Sequence, residues 1–141
     1  MKNKRQELLK GLIEELRRAI HSIHKEQCFS FGGSILGKPQ VMILFFIYEN
    51  KGVASVKEIA NFLHVTPGAV TQFTNGLVGK KLVKREENSS DRRGVNIKLT
   101  ANAEKDFNNF KKQYIKSASK SFSGLNDKEI EQFTKLVEKI K

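Results

Sequence analysis

Three short polar side chains, Thr71, Gln72 and Asn75, lie close together in a segment whose apolar residues recur every three to four positions. This spacing predicts a helix with these polar residues opposite its core face. Gln72 can pair with adenine through both polar atoms of its amide, Thr71 can contact a thymine methyl group or a phosphate, and Asn75 can do either. An ordinary solvated helix face would have the same composition. The predicted core face of this helix consists of Val70, Phe73, Leu77 and Val78.

A second group of polar residues, Asp91, Arg92 and Arg93, lies in the segment NSSDRRG between two stretches of alternating apolar and polar residues. The alternation predicts two paired strands, with the arginines at the tip of a turn-rich loop. Arginines in that position suit a narrow DNA minor groove, where the negative potential is strongest. Asp91 suits such a loop if it pairs with an arginine and holds it in one orientation. The alternative is a solvated basic loop.

The elements that must position these residues match a helix-turn-helix unit followed by a wing. Ser55 lies three residues before Glu58, the spacing of a capping box at the start of a helix. After a short connection over residues 63–65, Thr66 and Pro67 are typical of the N-cap and first turn of a second helix. In such a unit the second helix enters the DNA major groove by its N-terminal residues.

Composition limits the kinds of partner and compartment. The chain has 141 residues, a net charge of +11, 29% charged residues and 38% hydrophobic residues. These values predict one globular domain with a polyanionic partner, either nucleic acid or an acidic membrane surface. The longest apolar run, residues 41–48, is too short to span a bilayer, and the N-terminus has no apolar signal-peptide core. A single cysteine, Cys28, excludes an internal disulfide, so we expect a cytoplasmic protein without a membrane segment.

Further helices are predicted on both sides of this region. Residues 5–28 show helical apolar spacing over about six turns, and a helix that long cannot bury its whole apolar face within so small a domain. We therefore expect a second subunit, with packing inside a monomer as the alternative. The glycine-rich segment 29–38 predicts a turn before a buried helix over 41–48. Two more helices are predicted after Thr100 and Asn126.

The first helix also carries residues that can bind metals or react with oxidants. His21, His24 and Cys28 fall at positions i, i+3 and i+7, so their side chains can share one helix face. A closed zinc site needs four ligands, and the remaining histidine, His64, lies in the helix-turn-helix connection, so we predict no metal. Cys28 is interpreted either as an oxidant sensor or as a small buried residue.

Aromatic residues near Cys28 give a second hypothesis for signal sensing. Phe29, Phe31 and Phe45 can line a pocket for a small aromatic ligand, or they can be plain core.

Taken in order, the motifs resemble the MarR family of winged-helix transcriptional regulators over essentially the whole chain. The resemblance lies in residues 36–40, then KEIANFLHVTPGAVTQFTNGLVGKKLVKRE, then SDRRG and VNIKLT. It implies a homodimer held by the first and last helices that binds a pseudo-palindromic operator, usually as a repressor released by a small ligand or an oxidant. It also implies that Arg93 enters the minor groove, that Asp91 orients Arg93 and that Arg92 lies near the DNA backbone. Lys81 stands where the family commonly has glycine.

The sequence therefore predicts a mainly α fold with a small β-hairpin (α+β) in one chain, residues 1–141. A winged helix-turn-helix over 37–100 is flanked by helical dimerisation regions, 1–30 and 101–141. The predicted function is sequence-specific binding of double-stranded DNA, and a protein-interaction module without specific DNA binding is the alternative. No catalytic constellation or cofactor motif is present, so we predict a protein that is not an enzyme. The predicted DNA-contacting residues are Ser55, Thr66, Pro67, Gly68, Thr71, Gln72, Asn75, Lys80, Asp91, Arg92 and Arg93.

Overall fold

The computed structural model describes residues 3–25, 29–88 and 91–141, and it describes only the backbone of residues 29, 88 and 91–93. Within these residues the chain is mainly helical with two small antiparallel sheets, which confirms the predicted fold class. The helices are α1 (Lys4–Lys25), α2 (Lys38–Glu49), α3 (Val56–Leu63), α4 (Pro67–Gly79), α5 (Ala101–Ser119) and α6 (Asp127–Glu138), with a 3-10 helix at Lys120–Phe122. The strands are β1 (Phe29–Phe31), β2 (Ser34–Leu36), β3 (Val53–Ser55), β4 (Val83–Asn88) and β5 (Asp91–Leu99).

Backbone contacts divide the chain into two compact units, which we describe separately. The winged-helix unit is Cys28–Lys112, and the terminal unit consists of Met1–Gln27 and Gln113–Lys141.

The wing is the hairpin formed by β4 and β5. Together with β3 it makes a three-stranded sheet with strand order β3-β5-β4. In this sheet Val83 of β4 lies opposite Leu99 of β5, while Ala54 of β3 lies opposite Ile97 of β5. The sequence predicted only the two longer strands. β3 was missed because a three-residue strand is too short to show alternation.

The wing hairpin is tighter than the predicted seven-residue loop. β5 begins at Asp91, which pairs with Asn88 of β4, so only residues 89–90 connect the two strands. A two-residue connection is the commonest in β-hairpins. The prediction that Arg92 and Arg93 lie in a loop is therefore wrong: their backbone belongs to β5, at a register shift between the paired residues Asp91 and Val95.

The glycine-rich segment before α2 is a second hairpin rather than a simple turn. β1 and β2 pair with Phe31 opposite Ser34, and the connecting Gly32 and Gly33 have φ angles of 55° and 83°. Two positive φ angles are characteristic of a type I′ turn and favour glycine at both positions.

The core of the winged-helix unit is formed around α2, as predicted. Four residues of this helix are buried: Val41, Ile43, Leu44 and Ile47. The helix ends before the segment 50–52, where Lys51 has a φ of 62° and the Gly52 amide donates to the Ile47 carbonyl at 2.9 Å.

An aromatic cluster packs beside α2. Tyr48 stacks on Phe107 with ring centroids 3.9 Å apart, Phe45 meets Phe107 at 5.3 Å, and Phe31 meets Phe110 at 4.9 Å. Phe31 and Phe45, the two described residues of the predicted ligand site, thus pack closely against other rings, as core residues do. The ligand site remains a prediction, because Cys28 and the side chain of Phe29 lie outside the described residues.

The helices of the terminal unit have apolar faces without a core of their own. No described residue of α1 or α6 is buried. α5 continues to Ser119, and the 3-10 helix follows directly. α6 begins after Asn126, as predicted, with a capping box in which Asn126 Oδ1 accepts from the Glu129 amide at 2.9 Å. Among the described residues, none of the helices is long and apolar enough to cross a membrane.

Candidate nucleic-acid interface

Capping interactions at the starts of α3 and α4 define the helix-turn-helix. Ser55 Oγ accepts from the Glu58 amide at 3.0 Å, and the Ser55 amide donates to Glu58 Oε1 at 3.4 Å. Thr66 Oγ1 accepts from the Ala69 amide at 3.2 Å, and Pro67 is the first residue of α4. Both hydroxyl oxygens are thus used by caps, but each O–H remains able to donate to a phosphate. Both predicted helix starts are confirmed.

The turn between these helices depends on His64. Its φ of 55° lies in the left-handed region, and the next amide, that of Val65, donates to the Ala60 carbonyl at 3.1 Å. This hydrogen bond closes the end of α3 in the manner of a Schellman motif. His64 therefore has a backbone role at the turn that the sequence did not show.

The outward face of α4 is the one that the sequence predicted. Gly68, Thr71, Gln72 and Asn75 are exposed. The Thr71 hydroxyl donates to the Pro67 carbonyl at 3.1 Å, so its methyl group and its oxygen lone pairs remain for a ligand. On the inner face Val70, Thr74 and Leu77 are buried, whereas Phe73 and Val78 are only half-buried.

Thr74 and Arg85 also belong to this candidate site, although sequence analysis did not single them out. Arg85 of β4 reaches α4, where its Nη2 donates to Thr74 Oγ1 at 3.3 Å and also to Asn75 Oδ1. A signal for each was present in the sequence. Thr74 is four residues after Val70, on the predicted core face, and Arg85 is two residues after the buried Val83, on the same side of the strand.

A groove of about 640 Å³ brings three of the predicted residues together. Ser55, Pro67 and Thr71 line it, along with Lys57 of α3 and the base of the wing at Gly94 and Val95. The groove thus joins the N-terminal ends of both helices to the outer part of β5, where Val95 pairs with Glu87, and the Lys57 cation favours a negatively charged ligand there. Gln72, Asn75 and Lys80 do not line it.

Further along α4, hydrogen bonds connect this helix and its C-cap to α2 and to the strand before it, β2. Lys80 Nζ donates to the Ile35 carbonyl at 2.5 Å, and Gln40 Nε2 donates to the Phe73 carbonyl at 3.5 Å. The Lys80 ammonium, predicted to contact DNA, thus has one of its three donors engaged inside the protein. Lys80 as a DNA contact remains a prediction.

Lys81, which stands where glycine was expected, adopts a left-handed backbone conformation. It has a φ of 59°, and the amides of Lys81 and Leu82 donate to the carbonyls of Val78 and Leu77 at 2.9 and 3.0 Å. These are the two hydrogen bonds of a Schellman motif, whose left-handed residue is usually glycine.

Metal binding gains no support from the described residues. Within residues 3–25, 29–88 and 91–141, no three histidine, cysteine or acidic side chains come close enough to hold a metal ion. Cys28, the third residue of the predicted His-His-Cys pattern, lies outside those ranges.

A capped helix-turn-helix with an exposed polar second helix, attached to a β-wing, defines a winged-helix protein of the DNA-binding class. Comparison with known proteins agrees. The MarR family model matches residues 36–95. The uncharacterized HTH-type transcriptional regulator YpoP of Bacillus subtilis is 29% identical over 136 residues, covering 94% of this chain and 90% of YpoP.

Two solved structures have the same fold. The B. subtilis YusO protein superposes with a TM-score of 0.63 at 25% identity, over 99% of this chain and 97% of YusO. A cysteine-to-serine variant of E. coli MarR, crystallised with operator DNA, superposes with a TM-score of 0.69 at 22% identity, over 99% of both chains. The chain thus resembles the MarR family of helix-turn-helix transcriptional regulators, as the sequence predicted, and the family model matches its winged helix-turn-helix region.

Proposed function

We propose that this protein is a cytoplasmic, homodimeric regulator that represses transcription from a pseudo-palindromic operator and is released by a small ligand or an oxidant. The observation that carries the proposal is the exposed polar face of α4, which adjoins a groove bordered by two helix N-termini and the wing. A helix so exposed can enter a major groove, and the wing can then reach the neighbouring minor groove. The MarR variant crystallised with operator DNA has this fold.

The terminal unit supports a dimer. α1 and α6 carry large apolar side chains that are mostly solvent-exposed, among them Leu8 at 65% and Leu136 at 59%. A cavity of about 580 Å³ between the end of α5 and α6 is lined by further apolar side chains, including Ile115, Phe122 and Phe133. Soluble monomers rarely expose apolar surface on this scale, and a second copy of the chain would cover it.

A two-fold dimer would contain two copies of α4, which we call the reading helix. Two copies of α4 related by a two-fold axis read two half-sites in inverted orientation, about one helical turn apart. The net charge of +11 supplies the sequence-independent part of the affinity, which decreases as salt concentration rises.

Selection of bound sequences from random duplexes at moderate salt tests the proposal. We expect an inverted repeat with half-sites about 10 base pairs apart, because that is one turn of DNA. Failure to enrich any sequence would overturn the proposed function. Repeating the selection with an oxidant, for the wild type and for Cys28→Ser, tests release: we expect oxidant to reduce binding by the wild type only.

Arg93→Ala tests the role of the wing. We expect operator affinity to fall about fivefold or more, and the slope of log affinity against log salt to decrease by about one, because one cation leaves the DNA interface. Fluorescence anisotropy at several salt concentrations measures both quantities. Lys135→Ala removes the same charge from an exposed position of α6 and serves as the control. Equal effects of the two substitutions would contradict a specific contact by Arg93.

A further inference from the structure

The side chain of Arg85, in the wing, is hydrogen-bonded to the reading helix α4. Arg85, on β4, directs its Nη2 toward three oxygen atoms of α4: the Thr71 carbonyl at 3.5 Å, Thr74 Oγ1 at 3.3 Å and Asn75 Oδ1. Ten residues separate Arg85 from Asn75 in the sequence, and the turn into the wing lies between them.

The chemistry of these groups decides how Asn75 is oriented. A guanidinium group has only donors, whereas an asparagine amide has an acceptor oxygen at one end and an NH₂ donor at the other. The oxygen of Asn75 must therefore face Arg85, which leaves the NH₂ group for a ligand. Because Asn75 is exposed on α4, that ligand can approach from solvent.

Thr74 holds the arginine in place. This side chain is fully buried, and its hydroxyl donates to the Thr71 carbonyl at 3.1 Å. Since the hydroxyl proton is used in that bond, the oxygen can only accept from Arg85. The buried hydroxyl thus gives the guanidinium a fixed acceptor. The guanidinium in turn orients the Asn75 amide.

This orientation changes which bases Asn75 can read. Two-point pairing with adenine needs both the oxygen and the NH₂ group of an amide side chain to face the base, and here the oxygen faces Arg85 instead. An amide that presents its NH₂ end suits base edges that offer acceptors, such as O6 and N7 of guanine or O4 of thymine.

We propose that Arg85 is a positioning residue that holds Asn75 as a hydrogen-bond donor and thereby sets the base preference of the reading helix. Arg85 acts through Asn75 and does not itself contact the base. The proposal rests on the proposed DNA binding by α4.

The test compares sequences selected by four proteins: the wild type, Asn75→Ala, Arg85→Ala and Lys84→Ala. Lys84 is the matched control, since it is an exposed cation of the same strand whose ammonium lies 3.5 Å from Glu86. Asn75→Ala identifies the base position that Asn75 reads, because the preference at that position disappears. We expect guanine or thymine there for the wild type and for Lys84→Ala. For Arg85→Ala, whose Asn75 amide can rotate, we expect adenine to rise about fivefold or more relative to the wild type.

A second measurement examines the contact without DNA. The NMR resonances of the Asn75 side-chain amide should shift in Arg85→Ala and stay unchanged in Lys84→Ala, and thermal unfolding of both variants establishes that they are folded.

Two results would overturn the proposal. One is an unchanged base preference in Arg85→Ala together with the same uniform loss of affinity as in Lys84→Ala, which would make Arg85 an electrostatic contact only. The other is an Asn75 amide whose resonances do not respond to Arg85→Ala. Either result can occur while the wild type still selects an operator, so the proposed function would stand. If the wild type selects no sequence, the proposed function fails and the base-preference role fails with it.

Discussion

The two units of this chain use the same local signals but differ in how they bury apolar surface. Both contain a helix that begins with a capping box, at Ser55 in the winged-helix unit and at Asn126 in the terminal unit. In the winged-helix unit, α2, α3, α4 and α5 all contribute buried side chains, and Phe107 is completely inaccessible to solvent. In the terminal unit, α1 and α6 have no buried residue among those described.

This difference shows that helix formation and a hydrophobic core are separate requirements. Most helical stability in proteins comes from packing of an apolar face, not from intrinsic propensity. The winged-helix unit supplies that packing from its own residues. We infer that the terminal unit obtains it from a second copy of the chain, so its stability should depend on protein concentration.

The largest expected effect comes from removing an aromatic ring from each unit. Phe107→Ala should lower the free energy of unfolding by about 3–5 kcal/mol at any protein concentration, because it removes a completely buried ring from the aromatic cluster. Phe133→Ala, on α6, removes a ring that is 41% exposed in the single chain, and its cost should increase as the protein is diluted. Urea unfolding at several concentrations measures both effects, with sedimentation equilibrium to follow dissociation. A Phe133→Ala effect independent of concentration would contradict a shared apolar layer.

Loss of the helix caps should have an effect of intermediate size. Its dependence on protein concentration should differ between the two units. Ser55→Ala and Asn126→Ala each remove a side-chain oxygen that accepts a backbone amide, which costs about 1 kcal/mol in either helix. We expect the Ser55→Ala loss at all concentrations and the Asn126→Ala loss mainly in the concentration-dependent transition. Thermal melts at high and low protein concentration measure the difference. If both variants shift one common transition equally at every concentration, the two units unfold as one and the distinction is wrong.

The smallest expected effect distinguishes open from tightly packed helix positions. Gly11→Ala in α1 has nothing within 4 Å of the new methyl group and should stabilise the protein by up to about 1 kcal/mol, as alanine does in helices. Gly76→Ala in α4 places its methyl group against Gln40 Nε2, which must move away from the Phe73 carbonyl. We therefore expect no gain, or a small loss, at Gly76. Gly79→Ala, which is open and also in α4, is the matched control, and differential scanning calorimetry on all three variants checks the order.

The glycines of α4 show how far sequence interpretation reached. From the sequence alone, Gly68, Gly76 and Gly79 can be interpreted either as a close approach of the helix backbone to DNA or as a frayed or mobile helix. Gly68 and Gly79 have room for a side chain, in agreement with an exposed face, but Gly76 lies against Gln40, 36 positions earlier in the chain. A contact over that distance depends on how α2 packs on α4, which no local pattern records.

Features that depend on neighbouring residues were predicted well. The caps at Ser55, Thr66 and Asn126 involve partners only three residues away, so their spacing was visible in the sequence. The wing was predicted as a hairpin from its alternation, but its register was not: pairing of Asn88 with Asp91 placed the arginines within β5. Register depends on how the two strands fit each other and the core, and a shift of one residue reverses every side chain.

The sequence alone determined where the helices begin, which face of α4 is polar and which family the chain resembles, because capping, periodicity and motif order are local properties. Tertiary structure decided which polar atoms on that face remain available. From the sequence, Asn75 was an amide able to pair with any suitable base, but the Arg85 guanidinium holds its oxygen toward the wing and leaves its NH₂ end for a ligand. A hydrogen bond between a strand and a helix exists only once both have packed, so composition and spacing could identify Asn75 but could not give its orientation.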